Sequence, residues 1–395
     1  MGLPRVITLI EYQPVRLPAA ALSEQTAEYL WRNFAAQIEV RPPSFLNHHQ
    51  WELTAQGWIG HIPVTPDLYL TLQPKVPLAT LFGMLEWAYA AAWRQLPGLA
   101  QVSSLAELYA RLALALAEQV LERERRGLWR AYVSRQERLP YVRGRLDAPA
   151  LARQPVSAQW PGRYEAFSAD LAHNRIPLWT LHLLLRSGLG SAEIQTQLQR
   201  AYQGLRGAVT PIPCTAHECL ALTYTRLNED YRPIHALCRF FLDQAGPSHH
   251  LGDLAMLPFL IDMDRLYETF VAAWLQRRLP PHLLLQRQEP LTSRSGAIQM
   301  RVDLVLRDRT SGAVQYVLDT KYKAAGKPAA ADLQQVAFYA QAYGCREAVL
   351  VYPTPLTNPL DDTLNQVRLR TLTFRLDQDL DQAGHAWLQT LLEKK

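Results

Sequence analysis

Cysteine, lysine and long apolar runs are scarce in this chain. Four cysteines in 395 residues exclude a disulfide-stapled scaffold and fit a reducing compartment. They also argue against a four-cysteine iron–sulfur centre: Cys214 and Cys219 flank His217 in PCTAHEC without C-x-x-C spacing, and Cys238 and Cys345 stand alone, so small buried or loop thiols are expected, with a zinc site as the alternative. No apolar stretch approaches the roughly 18–20 residues of a membrane span. The opening MGLPRVITLIEYQP lacks the charged-then-apolar layout of a secretory signal, and a cytoplasmic protein is the expectation. There is no G-x-x-x-x-G-K-[ST] either, since Gly326-Lys327 runs into Pro328. The chain therefore brings no P-loop and binds no nucleotide of its own by that route, and any motor must come as a separate partner.

Apolar residues make up 48% of the sequence and charged residues 19%, enough to bury a sizeable core. The length suggests two or three domains. The net charge of +5 is compatible with an acidic polymer as partner without demanding one. Six of the 41 basic residues are Lys (Lys75, Lys321, Lys323, Lys327, Lys394 and Lys395), leaving 35 Arg. Three lysines within 321–327 therefore need a reason. Ten Arg against four acids give residues 122–163 a local net of +6. Two readings stand there: a solvated helix face with a basic loop, or an Arg surface for phosphate or carboxylate.

Three sections are expected, making an α+β or α/β multidomain protein. Residues 1–163 begin as mostly strand, followed by a helix at 78–94 and a stronger one from Ser104, where Leu105, Leu108, Leu112 and Leu116 form one stripe towards Val120. That helix ends in the Arg-rich stretch, which closes at RGRLD, residues 143–147. Residues 164–255 read as a helical connection. Residues 256–395 read as a mixed sheet flanked by helices: helix 263–279, strands 283–288, 298–307 and 314–320, helix 331–343, strands 346–352 and 366–375, and helix 382–393.

The chemistry concentrates in that last section. Asp303 lies in MRVDLVLRD, and Asp319 and Lys321 in YVLDTKYK. Side chains two apart on a strand share a face, so Asp319 and Lys321 point the same way. If the two strands pair, Asp303 reaches the same patch. Two converging carboxylates call for a hard dication such as Mg²⁺, with Mn²⁺ as a substitute, and it would polarise a phosphoryl oxygen and acidify a water. Lys321 could then orient that water or balance charge on the attacked phosphate. The arrangement suits phosphodiester hydrolysis.

This conjunction resembles the PD-(D/E)xK nuclease superfamily, with Val302 where many members have Pro. The resemblance implies a third acidic group at Glu268 in LYETFVAAW, on the helix entering the sheet. It also gives Gln335 and Tyr339 in DLQQVAFYAQAY the Q-x-x-x-Y spacing of the RecB-like branch, where that helix faces the site. Over nearly the whole length the sequence is similar to the McrC family, the nuclease subunits of McrBC modified-cytosine restriction systems. The matching stretches include ITLIEYQ, LQPKV, LFGMLEWAY, YVRGRLD, YEAFSADLAHNRI, MDRLYETFV, VLDTKYK and AVLVYP. That resemblance implies a C-terminal domain that cuts DNA and an N-terminal section that docks on a McrB-like AAA+ GTPase ring. It leaves recognition of modified cytosine in double-stranded DNA mainly to that partner. It also implies stimulation of the partner's GTPase, for which Arg143 and Arg145 are the candidates. Asn174 is expected to hold a helix–helix contact. Two other readings remain: a non-catalytic activator of an AAA+ ring, and a stand-alone RecB-like repair exonuclease.

Overall fold

A computed structural model describes residues 5–65, 67–89, 102, 104–153, 158–188, 190–244, 249–251, 254–256, 259–292, 299–323, 326–364 and 366–393. The expected helical stretch 90–94 and the expected strand start at 298 lie outside them. The contacts divide the chain into two compact units, one made of 1–105 with 258–395 and the other of 106–257.

The first unit opens with β1 (Arg5–Ile10), β2 (Val15–Leu17), α1 (Glu24–Phe34), β3 (Ile38–Arg41), β4 (Trp51–Ala55), β5 (Trp58–Thr65), β6 (Leu68–Gln73) and α2 (Leu78–Tyr89). Strands dominate, as expected. The helix α1 escapes a pattern reading because its apolar stripe is short: Ala27, Leu30 and Phe34 are its buried residues. Ser23 caps it, accepting the Thr26 N–H at 3.2 Å. β2, β4 and β3 form an antiparallel sheet, while β1 runs parallel to β6 and β6 antiparallel to β5. Leu9, Leu30, Ile38, Leu53, Leu70 and Leu72 make one core between them.

The second unit contains α3 (Leu105–Arg126), β7 (Ala131–Leu139), β8 (Arg145–Leu146), α4 (Ala148–Arg153), β9 (Trp160–Ser168), α5 (Ala172–Ser187), α6 (Ala192–Arg206), α7 (Ala216–Leu220), α8 (Tyr231–Gln244), β10 (His249–Leu251) and β11 (Leu254–Met256). The leucine stripe of α3 is buried as expected, Leu105 through Val120. The Arg-rich stretch is different from a helix end with a basic loop. Past Arg126 it becomes a long antiparallel pair, β7 with β9, and β8 adds a short third strand. The expected boundary at 163 falls inside β9. The pair hides from a sequence reading because β7 alternates half-buried and exposed residues with none fully buried, so it carries no apolar period. Asn174 has the structural role expected of it. It is fully buried, donates to the Trp129 and Ala169 carbonyls at 2.9 and 2.6 Å, and accepts the Tyr231 hydroxyl of α8.

The chain then returns to the first unit with β12 (Phe259–Asp262), α9 (Met263–Arg278), β13 (Leu283–Thr292), β14 (Gln299–Asp308), β15 (Val314–Thr320), α10 (Ala330–Ala342), β16 (Glu347–Tyr352), β17 (Asp361–Leu364), β18 (Val367–Thr373) and α11 (Leu380–Leu392). β12 completes the first sheet by pairing antiparallel with β5. A close approach makes this possible. Gly60 has φ +140°, and a Cβ there would lie 2.0 Å from the Phe259 carbonyl oxygen. The remaining strands form a six-stranded sheet in the order β13-β14-β15-β16-β18-β17. β13, β14 and β15 are antiparallel, β15, β16 and β18 parallel, and α10 is the crossover between β15 and β16. Strands β12 and β17 are absent from the expected order of this section, and all four residues of β17 are exposed. Val336, Ala337, Tyr339 and Ala340 of α10 pack on Val317, Ala348 and Leu350. Phe270 and Trp274 of α9 meet Phe374, and Trp274 meets Trp387 of α11.

Candidate active site

The apolar face of the six-stranded sheet turns acidic at one end. Leu304 of β14 pairs with Leu318 of β15, and Asp303 and Asp319 lie one step further, so the two carboxylates are cross-strand neighbours. Val305 and Val317, two residues back on each strand, belong to the core under α10. Asp319 is 2% exposed. The Thr320 N–H donates to Asp303 Oδ2 at 3.1 Å and its hydroxyl follows at 3.4 Å.

Lys321 is held from three sides. Its Nζ lies 2.8 Å from Asp319 Oδ2 and 3.9 Å from Asp332 Oδ1, and it donates to Gln335 Oε1 at 3.4 Å. Gln335 Nε2 in turn donates to the Tyr339 hydroxyl at 2.8 Å, since residues four apart share a helix face. Lys323 Nζ, 2.8 Å from Asp332, takes up that carboxylate's other oxygen. The structure thus brings Asp303, Asp319, Lys321, Gln335 and Tyr339 together as the spacing suggested.

Glu268 on α9 stands beside them. It accepts the Gln288 side-chain amide at 2.7 Å. Burial, and then the charge of Asp303, push the Glu268 carboxyl up to about 7, against the lowering effect of the Gln288 bond. Burial and then Asp303 push Asp319 up to about 6, against Lys321. Burial also raises Asp303, opposed by the Thr320 N–H and Lys321. For Lys321 burial works against the charge, but Asp319 and the neighbouring carboxylates outweigh it and raise its pKa.

Asp303 and Asp319 resist ionising together beside the Lys321 ammonium and offer oxygen donors suited to a hard dication, while Glu268 feels the charge of Asp303. Among the described residues, no three His, Cys, Asp or Glu side chains gather into a ready-made metal cage. A Mg²⁺ site built from one or two carboxylates plus waters and substrate phosphate does not require one.

Several contributors escaped the sequence reading. Thr320, Asp332 and Gln288 carry no motif. Lys75 had a usable signal, being one of six lysines among 41 basic residues, and its place is described below. Arg143 and Arg145 lie in the other unit and are exposed. They flank Gly144, whose φ is +68° and where a Cβ would meet the Arg163 carbonyl at 2.3 Å. The Arg143 guanidinium stacks 4.0 Å from the Tyr164 ring. All four cysteines are buried and free, as expected. No helix among the described residues is long and apolar enough to cross a membrane.

A family model described as McrBC 5-methylcytosine restriction system component matches residues 36–353. A curated relative, the type IV methyl-directed restriction enzyme EcoKMcrBC of Escherichia coli K12, is 23% identical over 219 residues, 52% of this chain and 61% of its own length. The match therefore spans less than two thirds of that relative. A solved assembly of Thermococcus gammatolerans McrB AAA+ hexamers with bound McrC contains a chain of similar fold, with TM-score 0.55 and 17% identity, covering 98% of this chain and 100% of that one. A second structure, the cryo-EM McrBC complex of the same organism, matches at TM-score 0.41 and 20% identity over 70% of this chain and 88% of its own.

Proposed function

The chain belongs to the McrBC 5-methylcytosine restriction system component family, and we propose that it is the DNA-cutting subunit of such a system, with a PD-(D/E)xK-like C-terminal domain. The observation that carries this reading is the meeting of Asp303, Asp319 and Lys321 at one end of paired strands, with Gln335 and Tyr339 closing over the amine. Asp303 and Asp319 would hold Mg²⁺ (or Mn²⁺), with Glu268 as a third group. The bound ion supplies phosphoryl polarisation and a more acidic water.

The chain's own residues do the rest. The Thr320 N–H fixes the Asp303 carboxylate. Asp319 and Gln335 fix the Lys321 ammonium where negative charge develops on the attacked phosphate. Tyr339 fixes Gln335 in turn. The proposed substrate is double-stranded DNA carrying modified cytosine. The proposed partner is a McrB-like AAA+ GTPase ring, the kind of ring on which the Thermococcus McrC is bound. Residues 1–163 would dock there, Arg143 and Arg145 would stimulate its GTPase, and the complex would work in the cytoplasm.

The test is a Mg²⁺ titration with the full chain and its ring partner. Asp319→Ala should abolish cleavage of a methylcytosine plasmid while GTPase stimulation persists. A wild type that never nicks DNA with Mg²⁺ and a competent ring would replace this reading with the non-catalytic activator.

A further inference from the structure

One buried cluster next to the site has no part in the chemistry above. Glu11, just past β1, is 2% exposed, an unusual place for a carboxylate. Its Oε2 accepts the Lys75 main-chain N–H at 2.9 Å and the Tyr322 hydroxyl at 3.4 Å. Its Oε1 is buried with no hydrogen-bond partner. Lys75, just past β6, donates its ammonium to the main-chain carbonyl of Tyr322 at 2.9 Å. The same ammonium lies 4.1 Å from the Tyr322 ring centroid and 4.9 Å from that of Tyr12.

Tyr322 follows Lys321 and is fully buried. β15 ends at Thr320, so the backbone that carries the Lys321 side chain has left the strand. One tether is the Lys321 N–H, which donates to the Val351 carbonyl at 2.9 Å. The other is Lys75 on the next carbonyl. Burying the Glu11 carboxylate and half-burying the Lys75 ammonium is unfavourable, and an apolar pair would seal this spot more cheaply. The ammonium is aimed at the main-chain carbonyl of Tyr322, the residue after Lys321, and Glu11 holds the Lys75 backbone and the Tyr322 ring in place around it.

We infer that Glu11 and Lys75 are positioning residues of the active site, clamping the Tyr322 peptide so that the Lys321 ammonium stays between Asp319 and Gln335. The inference rests on the nuclease reading above, and it assigns the ends of β1 and β6 a positioning part behind that site. Neither residue touches the reacting atoms; both act through the backbone.

The experiment is single-turnover cleavage of a methylcytosine plasmid by the full chain with its ring partner, GTP and Mg²⁺. The wild-type reaction tests the nuclease reading, and the ratio of variant to wild type tests the clamp. Lys75→Met keeps the stem and removes the charge. Its rate constant should fall at least 10-fold, with reaction amplitude and DNA affinity within twofold of wild type. Lys75→Arg, which keeps a cationic donor, should recover most of the rate. Should Lys75→Met fail to fold, Glu11→Gln carries the same comparison, with an expected loss of threefold or more in rate constant. A wild-type rate constant, or a loss of amplitude at unchanged rate constant, would overturn the inference, because a purely structural role lowers the active fraction and not the rate.

Discussion

Gln288 donates its side-chain amide to Glu268 from a backbone φ of +48°. It sits on β13 between the pairs Arg287–Leu304 and Glu289–Val302, hence across from Asp303. A left-handed glutamine in the middle of a strand is an uncommon conformation that costs on the order of 1–3 kcal/mol. It is stored across the sheet from Asp303. The twist sends the amide to Glu268, the carboxyl that most needs a donor to stay ionised.

Removing that amide should raise the Glu268 pKa further, since Gln288 is what holds it down. Gln288→Ala is expected to shift the acid limb of the pH–rate profile upward, with cleavage at pH 8 reduced about 3-fold or less and cleavage at pH 6.5 reduced about 10-fold or more. Parallel profiles for variant and wild type would dissociate Glu268 from the reaction.

Metal binding should be steeply pH-dependent. Asp319 titrates at about 6 and Glu268 at about 7 in the metal-free protein, both above ordinary carboxylate values. In the sign of the linkage, the folded state binds these protons more tightly than the unfolded chain. The two groups therefore favour the metal-free fold fully below the ordinary carboxylate pKa of about 4, and that contribution is lost as pH rises from there through 6 to 7. A cation that binds the ionised forms reverses this. Mg²⁺ should raise the melting temperature by a few degrees at pH 8 and by almost nothing at pH 5.5. An equal shift at both values in a thermal melt would mean that the ion binds elsewhere.

The α10 contacts should be worth rate and not DNA affinity. Gln335→Leu removes the acceptor for Lys321 and the donor to Tyr339 and should slow single-turnover cleavage by about 10- to 100-fold. Tyr339→Phe leaves Gln335 in place with one bond fewer and should cost about 3- to 10-fold. Equal effects of the two changes would contradict the order Tyr339, Gln335, Lys321.

Neutralising the hairpin arginines should separate the two proposed activities. Arg143→Gln with Arg145→Gln is expected to lower stimulation of the partner GTPase about 10-fold or more, while the rise in melting temperature of the chain with Mg²⁺ at pH 8 stays at its wild-type value. Unchanged stimulation would retire these two residues as the stimulating pair.

Gly60→Ala is a stability prediction. The Cβ would meet the Phe259 carbonyl at 2.0 Å on a backbone of φ +140°, so about 2–4 kcal/mol of stability should be lost. Urea unfolding of the full chain measures it, and a loss below about 0.5 kcal/mol would mean that the β5–β12 contact relaxes freely.

Most of the second sheet was readable because its strands and helices carry strong apolar periods. The expected α9, β15 and α10 end within a residue or two of the observed ones. Strand alternation put Asp319 and Lys321 on one face, but singling them out with Asp303 also took the pairing of the two strands and the order of the surrounding elements. The rest was hidden for physical reasons. β7 and β17 bury no residue and so lack an apolar signature. Gln288 depends on a backbone twist, and Glu11 with Lys75 on a contact across more than 240 residues. β12 is four residues long, and its partner is the distant strand β5.

The pairing of β12 with β5 also sets an order of assembly during synthesis. Ribosomes release the first sheet's opening strands long before residues 259–262, and all of 106–257 emerges in between. Until then Trp58–Thr65 is a bare strand edge, the kind of surface that invites pairing with other chains. A nascent chain halted inside the second unit would thus carry an unfinished sheet, and the clamp behind Lys321 can close only after Tyr322 has been made. A half-finished polypeptide would therefore lack the brace behind Lys321 until the last third of the chain is made.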